Sequence, residues 1–205
     1  MHIAVTGNIG SGKTTLSTKL AQHYGWVAEF ESVADNPYLS DFYEDMPRWA
    51  FHLELYFLKS RFKQAVGIKE REETTVQDRT IDEGVNIFAK NLKDTNVLSD
   101  RDWDNYLALY GHMKNFISSP DLIIYLRANT PKLVKQIQKR GRDYEQTIPI
   151  KYLEDLNHHY EAWISQITGS KVLIFDVNEM DFEHVAEDFA TITEAIDREL
   201  FGLFS

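Results

Sequence analysis

An α/β fold, with a five-stranded parallel sheet and helices on both faces, is predicted by three observations. Short apolar and β-branched runs recur at 2–6, 26–30, 73–77, 121–126 and 172–176. Longer segments of helical periodicity separate them, the alternation that builds parallel sheets. Between the first run and the first helical segment lies Gly7-Asn8-Ile9-Gly10-Ser11-Gly12-Lys13-Thr14, which satisfies the phosphate-loop pattern G-x-x-x-x-G-K-[ST].

Each part of that stretch has a physical reason. Glycines take positive φ and turn backbone N–H groups inward around an anion. A helix beginning at Lys13 adds unpaired donors and its positive dipole end. Lys13 would reach the β- and γ-phosphates, and the Thr14 hydroxyl would ligate Mg²⁺. The stretch predicts a site for a nucleoside triphosphate.

At 205 residues the chain is read as one domain, 1–205, with a lid at about 139–149. Its net charge of −10 opposes nucleic acid and anionic membranes as partners, since both attract basic surfaces. With no cysteine there is no disulfide framework, thiolate zinc site or cysteine nucleophile. No charged-then-apolar leader precedes the first strand, so a cytoplasmic location is expected. No repeat, low-complexity tract or Pro/Gly-rich linker divides the chain, and its five prolines sit near predicted helix starts and turns.

In an open α/β sheet the carboxyl ends of the strands face the ligand crevice. Glu31, after the second strand, therefore lies beside the phosphate loop as a general base or a solvated loop residue. Residues 47–66 predict a long helix. Trp49, Leu53, Tyr56 and Phe57 form a core stripe; Phe51, Glu54, Leu58 and Arg61 form a second one with two charges. Glu54 and Arg61 lie about 10.5 Å apart along the axis, too far for an i,i+4 pair. That stripe is either a partly exposed flank or a pair of groups converging on a polar ligand.

Asp78-Arg79-Thr80 closes the third strand, where an acid suits Mg²⁺ and a base suits phosphate. Asp82-Glu83-Gly84 opens the next helix, with its acids at the dipole's positive end. Residues 132–146 predict a basic helix ending in Lys139-Arg140-Gly141-Arg142 and followed by Asp143-Tyr144-Glu145, either a lid that closes on phosphates or a helix end decorated with cations. His158-His159 shows no metal-ligand spacing and is read as structural or solvated.

Together these motifs resemble the deoxynucleoside kinase family over nearly the whole chain. The resemblance is carried by GNIGSGKTT (through Thr15), Glu31, Phe42-Tyr43, Arg48-Trp49, DRT, Ile87-Phe88-Ala89, RGRDYEQTIPIKYL and DVNEMDF. It implies a P-loop kinase fold with an arginine-bearing lid, ATP and Mg²⁺ as cofactors, a deoxynucleoside as substrate and a homodimer. It also implies roles: Glu31 at the 5′-hydroxyl, Arg79 near the transferring phosphoryl, Asp78 with Thr14 on Mg²⁺, and Tyr43 with Glu145 on the 3′-hydroxyl. Either Glu31 or Asp78 takes the proton. Arg140 and Arg142 would stabilise phosphate charge, Phe88 would line the nucleoside site, and 178–182, including Asn178, Glu179 and Asp181, would flank the donor adenine. Gln136 stands where relatives can carry an arginine.

Two departures fall on base recognition. Glu54 stands where the family usually has glutamine, and Gly84 where it usually has an aspartate that steadies the arginine matched to Arg61. An ionised Glu54 offers only acceptors, which suit the adjacent N1–H and 2-amino donors of guanine. Arg61 could then donate to O6 or N7. Deoxyguanosine is therefore the expected substrate. A protonated Glu54 would mimic glutamine and favour deoxyadenosine instead. Two other readings fit less well. A nucleoside monophosphate kinase needs arginines for a dianionic acceptor, where this chain places Glu31, Glu54 and Glu145. A non-catalytic nucleotide-binding regulator would have lost a catalytic group, yet Lys13, Thr14, Glu31, Asp78 and Arg79 are all present.

Overall fold

Alternation along the strands sorts the sheet's side chains into two cores, one per face. In the computed structural model, which describes residues 1–31, 36–142, 145 and 147–202, the strands are β1 (His2–Gly7), β2 (Val27–Glu29), β3 (Thr75–Asp78), β4 (Leu122–Arg127) and β5 (Lys171–Asp176). All pair in parallel, in the order β2-β3-β1-β4-β5. Central strands β1, β3 and β4 are buried on both faces, which explains the near-continuous apolar run of β4 and the apolar centre of β1; β3, Thr-Val-Gln-Asp, is as buried but mostly polar.

Ile3, Val5, Leu122, Ile124 and Leu126 point to one face. There they meet Leu16 and Leu20 of α1 (Lys13–Tyr24), Leu133 and Ile137 of α7 (Thr130–Arg140), and Ile192 and Ile196 of α9 (Ala186–Phe201). Ala4, Ile123 and Tyr125 point to the other, against Ile87 and Phe88 and against Leu156 and Tyr160 of α8 (Ile150–Ile164).

Helix α3 (Met46–Glu70) extends beyond the predicted 47–66, started by Pro47 in its first turn and by Asp45, whose carboxylate accepts from Arg48 N. Leu53 and Phe57 join Leu39 and Phe42 of α2 (Leu39–Glu44) in a further core. The charged stripe is buried: Glu54 is 2% exposed and Arg61 3%. It is no solvent-facing flank.

After β3 the chain makes one short turn, α4 (Ile81–Glu83), capped by the Thr80 hydroxyl, then widens into a π-helical stretch, Gly84–Ala89. The remaining helices are α5 (Lys90–Asp94) and α6 (Asp100–Lys114). The predicted helix over 132–146 is corrected: α7 stops at Arg140. Gly141, at φ 68°, takes the left-handed conformation and its N–H bonds to Ile137 O, which ends the helix. Of the lid segment, Asp143, Tyr144 and Gln146 lie outside the described residues, as do Ser32, Val33, Ala34 and Asp35 after Glu31. No helix among the described residues is long and apolar enough to cross a membrane.

The Ile124 side chain is fully buried in the sheet's centre. Ile124→Ala should cost about 3 kcal/mol of unfolding free energy, the usual range for deleting a buried branched chain. Urea denaturation checks this, and a loss under 1 kcal/mol would mean the two cores do not carry the fold.

Candidate active site

The phosphate loop leaves β1 and enters α1 through Gly12, at φ 95°, with no side chain capping the helix. Its first N–H groups are thus left open for an anion. A Cβ at Gly10 would stand 2.9 Å from Leu133 O, and one at Gly12 2.8 Å from the Phe182 ring, so glycine is required by space and by φ. Lys13 is buried and its ammonium donates to Asn8 O at 2.9 Å, spanning the loop. Burial, with Arg79 nearby, lowers its pKa to about 8.

Helix α8 braces the loop from the side. Asn8 Nδ2 donates to Leu153 O at 2.9 Å and to Asn157 Oδ1 at 2.7 Å, while its Oδ1 accepts from Ile9 N. The Tyr160 hydroxyl reaches Gly7 O at 2.8 Å and also bonds Glu83. Thr14 Oγ1 donates to Asp78 Oδ2 at 2.5 Å, which brings the carboxyl end of β3 against the helix start. Burial raises the pKa of Asp78, against the pull of Lys13 and of the Thr14 hydrogen bond. A hydroxyl and a carboxylate oxygen this close are the hard donors Mg²⁺ takes, so the pair fits such an ion.

Two cavities meet at Gly10, Lys13, Thr14, Arg140 and Arg142. The first is lined by Glu31, Tyr43, Glu54, Arg61, Asp78, Arg79, Phe88 and Glu145 from the sequence expectation, by Ile9 of the phosphate loop, and by Phe57 and Tyr152, which that expectation did not place in the site. The second runs along Ser11, Gly12 and Thr15 to Gln136, Lys132, Lys139 and Asp181, with an apolar wall of Val177, Met180 and Phe182. Two residues expected at the donor site stand apart from this lining. Glu179 is exposed and off this lining. The Asn178 side chain is turned away, bonding Asn129 N and Asp176.

Charges in the first cavity are interlocked. Arg61 donates to Glu31 Oε1 through Nε at 3.0 Å and also through Nη2. Arg79 Nε lies 3.3 Å from Glu31 Oε2 and 3.7 Å from Glu83, its guanidinium 4.3 Å over the Phe88 ring. Arg79 holds φ +73°, a left-handed conformation that the Cβ of an L-residue resists and that the surrounding contacts must maintain. Burial favours a neutral Glu31, but Arg61 and Arg79 outweigh it and hold its pKa below the ordinary carboxylate value. Glu145, beyond the end of α7, accepts from Arg140 at 2.6 and 2.9 Å and from Arg142 at 3.3 Å.

Glu54 is the exception. Its Oε2 is buried with no hydrogen-bond partner, and burial pushes its pKa up to about 7 although Arg61 opposes this. Arg61 Nη1 is likewise buried and unpartnered. Support by Glu83, Asn157 and Tyr160 was not read from the sequence; only Glu83, four residues after Arg79, carried a spacing signal.

A carboxyl whose folded-state pKa lies above its unfolded value contributes stability in full below the unfolded value, here 4.5. It loses that stability as pH rises through the folded value, here about 7. Glu54→Gln should therefore stabilise the protein more at pH 8 than at pH 5, by on the order of 2 kcal/mol. Equal shifts in thermal melts at the two pH values would contradict a buried, proton-seeking Glu54.

Comparison with known proteins follows the same lines. The family model described as deoxynucleoside kinase matches residues 3–201. The chain is 41% identical to a deoxyadenosine kinase of Dictyostelium discoideum over 82% of its own length and 68% of that protein's. It is 36% identical to a deoxyadenosine/deoxycytidine kinase of Bacillus subtilis, over 95% of this chain and 90% of the relative. With a deoxyguanosine kinase of the same organism the identity is again 36%, over 93% of each. A solved deoxyadenosine kinase from M. mycoides, with dCMP and dCDP bound, superposes with a TM-score of 0.86 at 32% identity, covering 96% of this chain and 99% of that one. With this fold, this loop and these matches along its length, the chain belongs to the deoxynucleoside kinase family and is a phosphotransferase.

Proposed function

We propose that the enzyme transfers the γ-phosphoryl of ATP, with Mg²⁺, to the 5′-hydroxyl of a purine 2′-deoxynucleoside, deoxyguanosine being favoured. The donor would lie in the second cavity, its phosphates over the loop and its adenine against Val177, Met180 and Phe182. The acceptor would lie in the first, its 5′-hydroxyl at Glu31 and its 3′-hydroxyl near Tyr43 and Glu145. Assembly as a homodimer belongs to the same proposal and rests on the family resemblance alone.

In-line phosphoryl transfer needs positioning, charge neutralisation and somewhere for the hydroxyl proton to go. Lys13, Arg79, Arg140 and Arg142 would supply the first two. Thr14 and Asp78 would hold Mg²⁺, which when bound draws charge from the β- and γ-phosphates. Glu31 is the proton acceptor in this reading: it is ionised, while Asp78 is tied to Thr14. In the ligand-free protein Arg140 and Arg142 face Glu145, so phosphate would compete with that carboxylate for them.

The base assignment rests on one observation: on the α3 wall of the cavity an acceptor, Glu54 Oε2, and a donor, Arg61 Nη1, are buried without hydrogen-bond partners among the described residues, the other such atom of the lining being Arg79 Nε beside Glu31. Guanine meets an ionised Glu54 with N1–H and the 2-amino group, and Arg61 with O6. A second reading is favoured by the raised pKa of Glu54. Protonated, the carboxyl donates to adenine N1 and accepts from its amino group, as a glutamine would. The named relatives include kinases of both purines, so similarity does not choose.

Two outcomes test this. Glu31→Gln should lower kcat/KM at least 10²-fold, the scale of one acid–base group; near wild-type turnover in a folded variant removes Glu31 from the mechanism. The ratio of kcat/KM for deoxyguanosine over deoxyadenosine should exceed one at pH 8 and fall as pH drops through about 7, where Glu54 takes a proton. A ratio below one at pH 8, or one that does not change with pH, contradicts the guanine assignment.

A further inference from the structure

Glu31 lies two residues beyond the short strand β2 at the sheet's edge, yet the group that grips it most closely comes from a different layer. Arg61 sits mid-way along the 25-residue helix α3, 3% exposed, and spends both Nε and Nη2 on one oxygen, Glu31 Oε1. Arg79 approaches the other oxygen. Each oxygen thus has its own guanidinium, which leaves the carboxylate no freedom to rotate.

This placement of Arg61 exists because residue 84 has no side chain. A Cβ built on Gly84 would fall 2.2 Å from Arg61 Nη1 and 3.4 Å from Cζ. Gly84 has φ −56° and ψ −47°, ordinary helical values that alanine also adopts, so the backbone does not need glycine here; the arginine does. An acidic side chain at 84 would meet the same guanidinium and offer it a rival carboxylate.

We infer that Arg61 is a positioning residue for Glu31, holding the carboxylate at the reacting hydroxyl, and that Gly84 provides the room for this. The inference rests on the reading of Glu31 as the group at the 5′-hydroxyl. Among the described residues, Glu31 faces Arg61 and Glu54 from α3, Arg79 and Asp78 from the end of β3, and Lys13 from the phosphate loop. Across the cavity stand Tyr43, Tyr152, Arg140, Arg142 and Glu145. Of the cations, Arg61 is the one that hydrogen-bonds Glu31.

The experiment is done in a Glu54→Gln parent, so that Glu54 no longer titrates in the same pH range. The acid limb of kcat/KM for the deoxynucleoside is measured at saturating ATP and Mg²⁺. Arg61→Gln should move that limb up by about one pH unit, because Glu31 loses its nearest cation. Gly84→Ala adds no charge and only displaces Arg61, and should move the limb the same way by less. Arg61→Lys should restore part of the shift. If the limb stays in place in Gly84→Ala and in a folded Arg61→Gln, with only KM for the nucleoside raised, Arg61 merely reads the base and the inference is overturned. Should Arg61→Gln fail to fold, Gly84→Ala decides alone. A parent inactive on every deoxynucleoside would strike the reading beneath; an active parent with an unmoved limb strikes only the inference.

Discussion

A carboxylate almost withdrawn from water, Glu31, is kept ionised by two buried arginines, and the surrounding architecture is arranged to make that tolerable. An isolated buried carboxylate would take up a proton. Arg61 and Arg79 prevent this, and each is fixed by a different part of the fold, one by helix α3 and one by the strained end of β3 over the Phe88 ring. Removing one partner of such a pair typically costs 3–5 kcal/mol because a naked charge remains. Glu31 is therefore held more rigidly than its position in a loop would suggest.

The same electrostatics explains Glu54. Setting aside Glu145, which the more exposed Arg140 and Arg142 hold, the buried cations about the first cavity are Lys13, Arg61 and Arg79 and the buried or nearly buried carboxylates are Glu31, Glu54, Asp78 and Glu83. One acid is in excess. Asp78 has Thr14, Glu83 has Tyr160 and Glu31 has Arg61, so the excess falls on Glu54, whose Oε2 has no partner. Burial raises its pKa, and no hydrogen bond to Oε2 offsets this, so the charge at this point of the cavity depends on pH as that of an amide would not.

The strands, the phosphate loop and the two sheet faces were legible in the sequence because each depends on local pattern: period-2 alternation, glycines before Lys13, short apolar runs. The Glu31–Arg61 pair was not, since thirty residues and a change of layer separate its members. Spacing along α3 revealed that Glu54 and Arg61 do not pair with each other but gave no partner for either. Gly84 read as a missing aspartate; that it makes room for a guanidinium is visible only in three dimensions. The basic helix predicted to end in Lys139-Arg140-Gly141-Arg142 stops at Arg140, because Gly141 takes the left-handed conformation that closes a helix. Bracing of the loop by Asn157 and Tyr160 depends on how α8 crosses the sheet, which no local pattern records.

In the proposed arrangement the first cavity would offer a neutral sugar hydroxyl an ionised Glu31 and Glu145, the latter paired with Arg140 and Arg142, a poor setting for a second phosphate dianion. The most direct test of the account is ADP release from ATP and Mg²⁺ with each of the four deoxynucleosides and, separately, with each of their 5′-monophosphates. The account predicts turnover with purine deoxynucleosides and none above background with any monophosphate. Preferential turnover of a monophosphate would contradict it, because the carboxylates that define the acceptor site would then have to bind what they should repel.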